Sequence, residues 1–176
     1  MIRKKLFVFA VSFLWIGASA PPSAIQKKLE KLIHANFAVL NYDLKPVEVF
    51  TDIADQLPRS FNIDNFMSVD SEGNRIGFVY TGRGPSKTDV YDFAILFDSK
   101  LIIKSVKILQ YREDYGGEIA SKRWLKQFIG NDISAEFVIG ENVAAISGAT
   151  ISVRSMTIMV NQVLSAVNLL LNDNVL

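Results

Sequence analysis

The most chemically suggestive residues in this chain are Ser147-Gly148-Ala149-Thr150, which stand where a long apolar-periodic stretch begins. Small residues at such a point let another group approach the backbone closely. The first amides of a helix have no intrahelical partner and favour anions, phosphate included. Thr150 places a hydroxyl beside those amides, and Arg154, one turn on, can add positive charge. On these residues alone the competing reading is an ordinary helix cap, for which Ser and Thr are favoured in their own right. Other candidates are weaker. Glu113-Asp114 is an acidic pair, but adjacent acids point to different sides of most backbones, so a solvated loop explains them. Gly82-Arg83-Gly84 lacks the Gly-Lys-Ser/Thr ending of a phosphate loop and suggests a hairpin instead. His34 lies among polar neighbours and reads as a solvated helix residue.

Composition narrows the chemistry further. The 176 residues include no Cys and one His, with 19 Lys+Arg against 18 Asp+Glu. Missing cysteine excludes thiol catalysis, disulfides, Cys-ligated zinc, iron–sulfur clusters, c-type haem attachment and a lipoprotein anchor. One histidine excludes a multi-histidine metal site. A net charge of +1 gives no basic stripe, so no nucleic-acid partner is expected. The side chains themselves offer little redox or metal chemistry.

The elements that must position these residues follow from periodicity. From Pro22 the chain reads as a helix, with Ile25, Leu29, Leu32, Ile33 and Leu40 at near-helical spacing. A second helix is expected over 46–57, closed by Pro58. Phe66 to Val69, Ile76 to Thr81, Val90 to Asp98 and Leu101 to Leu109 read as strands, with Asp98-Ser99-Lys100 as a tight hairpin. Ser121 to Phe128 reads as a short helix, and Ala135 to Ile139 as one further strand. Ser152 to Leu171 is a long helix with Val153, Met156, Val160, Val163, Leu164, Val167 and Leu171 along one face. The fold class is α+β: an antiparallel sheet with N-terminal helices and a long closing C-terminal helix. The expected organisation is residues 1–20 as a targeting segment, 21–60 as an N-terminal helical segment and 61–176 as the domain bearing the site.

The targeting segment has three parts. Arg3, Lys4 and Lys5 form a basic lead, Leu6 onward is apolar, and Ala18-Ser19-Ala20 is the small-x-small pattern of a signal-peptidase site. As a helix, Leu6–Ala20 would be about 22 Å long, short of the roughly 30 Å hydrocarbon core, which favours a signal peptide. Pro21 directly after that site obstructs cleavage and favours an uncleaved signal anchor. Either way the remainder is expected outside the cytoplasm. Residues 1–20 hold three of the 19 basic residues and none of the 18 acids, so the rest of the chain is slightly acidic.

Ser147-Gly148-Ala149-Thr150-Ile151-Ser152 resembles the flavinylation motif of the periplasmic FMN-binding domain. That domain occurs in the sodium-translocating NADH:quinone oxidoreductase and in the Rnf electron-transport complex. A second match lies upstream, where Val106-Lys107-Ile108-Leu109-Gln110-Tyr111 leads into Glu113-Asp114-Tyr115-Gly116-Gly117, followed by Trp124 and Phe128. The similarity runs from about Arg75 to Leu171. It implies FMN joined by a phosphoester to Thr150, installed outside the cytoplasm by a flavin transferase with FAD as donor. It further implies Ser147, Gly148, Ala149 and Ser152 around the phosphate or ribityl chain, with Glu113, Gly116 and Gly117 near the flavin. Tyr115 and Trp124 are candidate stacking groups, with ordinary packing as the other reading. Two departures are visible: Ala144 stands where the family usually has Asp, and the acidic loop lacks its usual Thr-Pro. The implied role is an electron carrier between membrane or periplasmic redox proteins. A module that keeps the fold without flavin, and a periplasmic flavin-dependent reductase, are the alternatives.

Overall fold

The computed structural model describes residues 23–176, so the expected export signal at 1–20 lies outside the described residues. Runs rich in Val, Ile, Phe and Tyr become four consecutive antiparallel strands: β2 (Phe66–Ser71), β3 (Asn74–Pro85), β4 (Val90–Asp98) and β5 (Ile103–Gln110). A short strand β1 (Asp43–Pro46), not expected from its polar sequence, pairs with β2 and completes a five-stranded sheet in the order β1-β2-β3-β4-β5. It lies at the sheet edge, where a terminal proline is tolerated. Helix α1 (Ala24–Phe37) precedes the sheet. The helix expected over 46–57 forms only the single turn α2 (Thr51–Ala54). After β5 come a 3₁₀ turn at Gly117–Ala120, the short helix α3 (Lys122–Leu125) with a 3₁₀ extension to Phe128, and the long helix α4 (Thr150–Asn172). The α+β class and the closing C-terminal helix are as expected.

Alternation along the strands sorts the core into two layers. Phe66, Phe78, Tyr80, Phe93, Ile95 and Phe97 face α4, where Val153, Met156, Val160, Val163, Leu164 and Val167 meet them. Leu170, rather than the expected Leu171, completes that helix face, since Leu171 is 42% exposed. Val69, Val79 and Leu96 point the other way, onto Ile33 of α1. Both faces of the sheet are therefore covered, which is why β4 can be apolar without a break from Phe93 to Phe97. α1 is held at its start by a capping box between Ser23 and Gln26.

Two expected features fall differently. Gly82-Arg83-Gly84 is not a hairpin but the interior of β3, and the turn lies beyond it at Ser86–Asp89, where the Ser86 amide donates to the Asp89 carbonyl at 2.8 Å. Glycine is required there by neighbouring rings: a Cβ on Gly84 would stand 2.2 Å from the Tyr91 hydroxyl, and one on Gly82 would stand 2.7 Å from the Phe93 ring. Ala135 to Ile139 forms no strand. Asn161 of α4 takes the place of a strand partner, accepting from the Phe137 amide and donating to its carbonyl, each at 2.9 Å. Phe137 itself packs edge-on against Phe128 with ring centroids 4.8 Å apart.

Candidate cofactor site

The site forms at one end of the sheet, where β3 ends, β4 begins and β5 ends. α4 starts there with Ala149 as its N-cap, and no side chain caps it. The first intrahelical bond runs from the Val153 amide to the Ala149 carbonyl at 2.9 Å. The amides of Thr150, Ile151 and Ser152 thus have no partner among the described residues. The ordinary-cap reading of Ser147 and Thr150 is not what the structure shows, because neither hydroxyl bonds to a helix amide. Both side chains are exposed. Gly148, at φ 83°, supplies the left-handed turn that swings the chain into the helix.

The loop after β5 is brought against this helix start by three anchors. Arg112 donates to the Val90 carbonyl at 2.9 Å and pairs with the buried Asp92 carboxylate, which also binds Arg83 at 2.9 Å. Glu113 Oε1 receives the Ser86 hydroxyl at 2.7 Å, the Thr88 amide at 2.6 Å, the Thr88 hydroxyl at 3.2 Å and the Asp89 amide at 2.9 Å. The Tyr111 hydroxyl donates to the Tyr115 carbonyl at 3.0 Å and lies 2.9 Å from Ser152 Oγ. Tyr111 in turn stacks on Tyr91, with centroids 6.1 Å apart. Tyr91 is fully buried and bonds Ser155 at 2.7 Å, and Ser155 donates to the Pro85 carbonyl at 2.6 Å. Burial pushes the Tyr91 phenol well above its ordinary value, so it stays a neutral donor.

Gly116 is the point of contact between loop and helix. It adopts φ 81°, and a Cβ there would lie 2.7 Å from the Tyr111 hydroxyl and 3.6 Å from the Ala149 Cα. Gly117 is looser, with only Tyr111 ring atoms near an added Cβ, the nearest at 3.7 Å. A cleft of about 180 Å³ opens here, floored by Tyr111, Gly116 and Ala149 and edged by Thr150, Ser152 and Lys87. Beside it lies a second hollow of about 550 Å³, which shares Lys87, Glu113, Tyr115 and Gly148 and adds Arg112. Tyr115 is 83% exposed, an aromatic face at the rim of both. Trp124 follows the ordinary-packing reading rather than the stacking one. It is buried against Phe128 at 5.3 Å, and its indole N–H donates to the Ala144 carbonyl at 2.8 Å. With the Gln127 side chain accepting from the Ala144 amide at 2.6 Å, it holds the stretch leading into the motif.

The expected site residues Thr150, Ser152, Gly148, Ala149, Glu113 and Gly116 therefore line one cleft. Ser147 lies next to it in the chain, and Arg154 is exposed without a salt-bridge partner among the described residues. Lys87, Tyr91, Arg112 and Ser155 escaped notice in the sequence, and so did the pairing of Tyr111 with Ser152. The only signal for Lys87 was its place in the polar run Ser86-Lys87-Thr88-Asp89.

The Glu113 carboxyl is pushed down to about 2, first by the Ser86 hydroxyl and next by the Thr88 amide, from an ordinary 4.5. Because the folded value lies below the unfolded one, its contribution to stability is complete above about pH 4.5 and lost as pH falls towards 2. Glu113→Gln should therefore flatten the fall in thermal midpoint across that window relative to the parent protein. Parallel acid profiles for the two proteins would contradict this role.

Comparison with known proteins agrees with the geometry. Residues 88–165 match the family model of the FMN-binding domain, a stretch that runs from the Glu113-binding turn through most of α4. No curated protein matches the chain.

Proposed function

Since residues 88–165 belong to the FMN-binding domain family, we propose that this protein is an electron carrier outside the cytoplasm that holds FMN through a phosphoester to Thr150. One observation carries the reading: an exposed hydroxyl, unbonded among the described residues, stands at a helix start whose first three amides are also unpartnered. Such a helix start suits a phosphate ester in charge and in hydrogen-bond donors. The cleft fits the rest of the group in kind, with Lys87 to offset negative charge and Gly116 leaving room that any side chain would fill.

FMN supplies a ring that accepts and returns electrons singly or in pairs, which no side chain of this chain can do. Thr150 Oγ1 is the attachment oxygen. A separate flavin transferase would exchange its O–H for an O–P bond, with FAD as donor and AMP released. The amides of Thr150, Ile151 and Ser152 would offer hydrogen bonds to the phosphate, and Ser147 and Gly148 would stand next to it in the chain. Ser152, only 3% exposed and engaged with Tyr111, fixes the loop against the helix. Gly116 and Gly117 keep the loop backbone open, and Tyr115 offers an accessible aromatic face. Attachment keeps the cofactor from being lost by dilution outside the cell.

A carrier is favoured over an enzyme with its own substrate because the acidic group of the cleft is committed to the fold. Glu113, its one carboxylate, is held ionised by the Ser86–Asp89 turn. Electrons would then pass to and from membrane or periplasmic redox proteins.

Production beside a flavin transferase in an exporting host is expected to give a band that fluoresces on a denaturing gel. The same chain made without the transferase should stay dark. Dark bands in both hosts would refute covalent attachment and favour a module that keeps the fold without flavin. Turnover of a soluble acceptor by the isolated flavoprotein would favour a reductase.

A further inference from the structure

Charge is divided between the two edges of the sheet. Residues 41–75, which carry β1 and β2, hold seven acids against three Lys and Arg. Residues 100–130, which carry β5 and α3, hold seven Lys and Arg against three acids. The strand order puts β1 and β5 at opposite edges, about 19 Å apart at ordinary strand spacing. Packing then gathers the cations around β5. Lys28 donates to the Leu109 carbonyl at 2.6 Å, which brings one flank of α1 to β5, and Lys31 follows one turn on. Lys107 lies between Val106 and Ile108, which enter the core under α4, so by alternation it faces the α1 side. Lys104 is the extra residue of a bulge between the pairs Leu96–Ser105 and Phe97–Ile103. Its ammonium lies 5.7 Å from the centre of the Phe37 ring at the end of α1. Along the open edge of β5, the Ile103 amide donates to the Asn131 carbonyl and the Gly130 amide to the Ile103 carbonyl, each at 2.8 Å. The chain leaving α3 therefore runs beside this edge, and Lys122 and Lys126 are exposed on it one turn apart.

None of these six lysines has a salt-bridge partner among the described residues, and residues 1–22 contain no acid. Glu30, on the other flank of α1, faces the hollow shared with Asp43, Asp70 and Glu72. Of the three acids between β5 and α3, Glu113 is taken up by the Ser86–Asp89 turn, which leaves Asp114 and Glu118. A surface so arranged attracts an anionic partner. We infer that the β5 edge, flanked by α1 and α3, is the docking surface for the acidic face of a partner protein. β5 runs directly into the Tyr111–Gly117 loop that borders the Thr150 cleft, so a partner seated there stands beside the cofactor. That placement gives docking its purpose and rests on the carrier reading above. Besides Tyr115, Ile129 is the one exposed large apolar side chain in residues 100–130. The surface thus has little to insert into a bilayer or to bury in a permanent complex. It suits the brief, salt-sensitive encounters that electron-transfer partners make. A second copy of this chain is a poorer occupant. Its acidic edge already commits Asp70 to Lys45 at 2.8 Å and Arg75 at 3.9 Å.

The full-length chain, made without a flavin transferase, is titrated with fluorescein-labelled poly-L-glutamate, with poly-L-lysine of equal length as the control for sign. Polyglutamate should bind at low ionic strength, polylysine should not, and about 0.5 M salt should release the complex. Lys104→Gln with Lys107→Gln should weaken binding about tenfold. Lys45→Gln with Arg59→Gln removes the same charge from the acidic edge and should change binding by less than about twofold. Carbodiimide cross-linking of the unsubstituted chain to polyglutamate needs no variant. Its amide links should fall on Lys104, Lys107, Lys122 and Lys126 well ahead of Lys45. Equal losses in the two double variants, preference for polylysine, or links spread evenly over the lysines overturn the surface. Salt-reversible self-association in sedimentation would put a second copy on it. Weaker capture of the Lys104/Lys107 variant by phosphatidylglycerol vesicles, with polyglutamate binding unchanged, would put a lipid surface there. Either outcome overturns the protein partner. Flavin plays no part in these readings, so their failure is distinct from failure of the carrier reading, which gel fluorescence reports separately.

Discussion

Thr150→Ala should give a folded protein that carries no covalent flavin even when made beside a flavin transferase. Loss should be complete, because the ester oxygen itself is removed and no neighbouring hydroxyl occupies its position. Ser147 precedes the left-handed Gly148, and Ser152 is buried against Tyr111. Folding should be spared for equally local reasons. Thr150 is exposed, its hydroxyl has no hydrogen bond among the described residues, and alanine is a better helix former. The stability change should stay within about 0.5 kcal/mol. Thr150→Ser, which keeps the oxygen, should retain attachment. Urea unfolding and gel fluorescence on the same preparations separate the two effects. A dark but unfolded Thr150→Ala protein would leave fold rather than attachment as the cause, and a fluorescent one would contradict the assignment.

The second large effect is expected from a residue that never meets the cofactor. Phe128 is fully buried between Trp124 and Phe137, with centroids at 5.3 and 4.8 Å. Through these rings it fixes the long connection from 129 to 149. Phe137 is tied to Asn161 of α4, and Trp124 holds the Ala144 carbonyl. Phe128→Ala removes the common packing partner and should cost about 3–5 kcal/mol in urea unfolding. Below the unfolding transition, the variant should also take up flavin less completely, because the stretch leading to Thr150 loses its support. Full flavin incorporation with an unchanged denaturation midpoint would show that the motif is positioned independently of this cluster.

The parts of the fold governed by local pattern were legible in the sequence. β4 is apolar at all but Asp92 and its terminal Asp98, and α4 shows helical periodicity over its length, so both were read to within two residues of their ends. The Ser147–Thr150 stretch stands out by residue type, although residue type alone left an ordinary helix cap as the competing reading. What was not legible depended on partners far away in the chain. β1 is polar and is a strand only because β2 offers an edge. Phe137 has a strand-like sequence, but its backbone is satisfied by the Asn161 side chain. Gly82 and Gly84 looked like turn residues because glycine usually marks a turn, whereas here the Phe93 and Tyr91 rings require it within a strand. Glu113 looked like a group for the cofactor. It does line the cleft, but its Oε1 accepts from a turn 24 to 27 residues earlier, a contact that no spacing rule anticipates.

The most direct measurement is the mass of the tryptic peptide from Gln127 to Arg154 in protein matured beside a flavin transferase. That peptide contains Ser147, Thr150 and Ser152 together, so fragmentation can assign the modified residue. The expected result is a gain of one FMN less one water, located on Thr150 alone. An unmodified peptide from such protein, or an adduct on Ser147 or Ser152, would contradict the account.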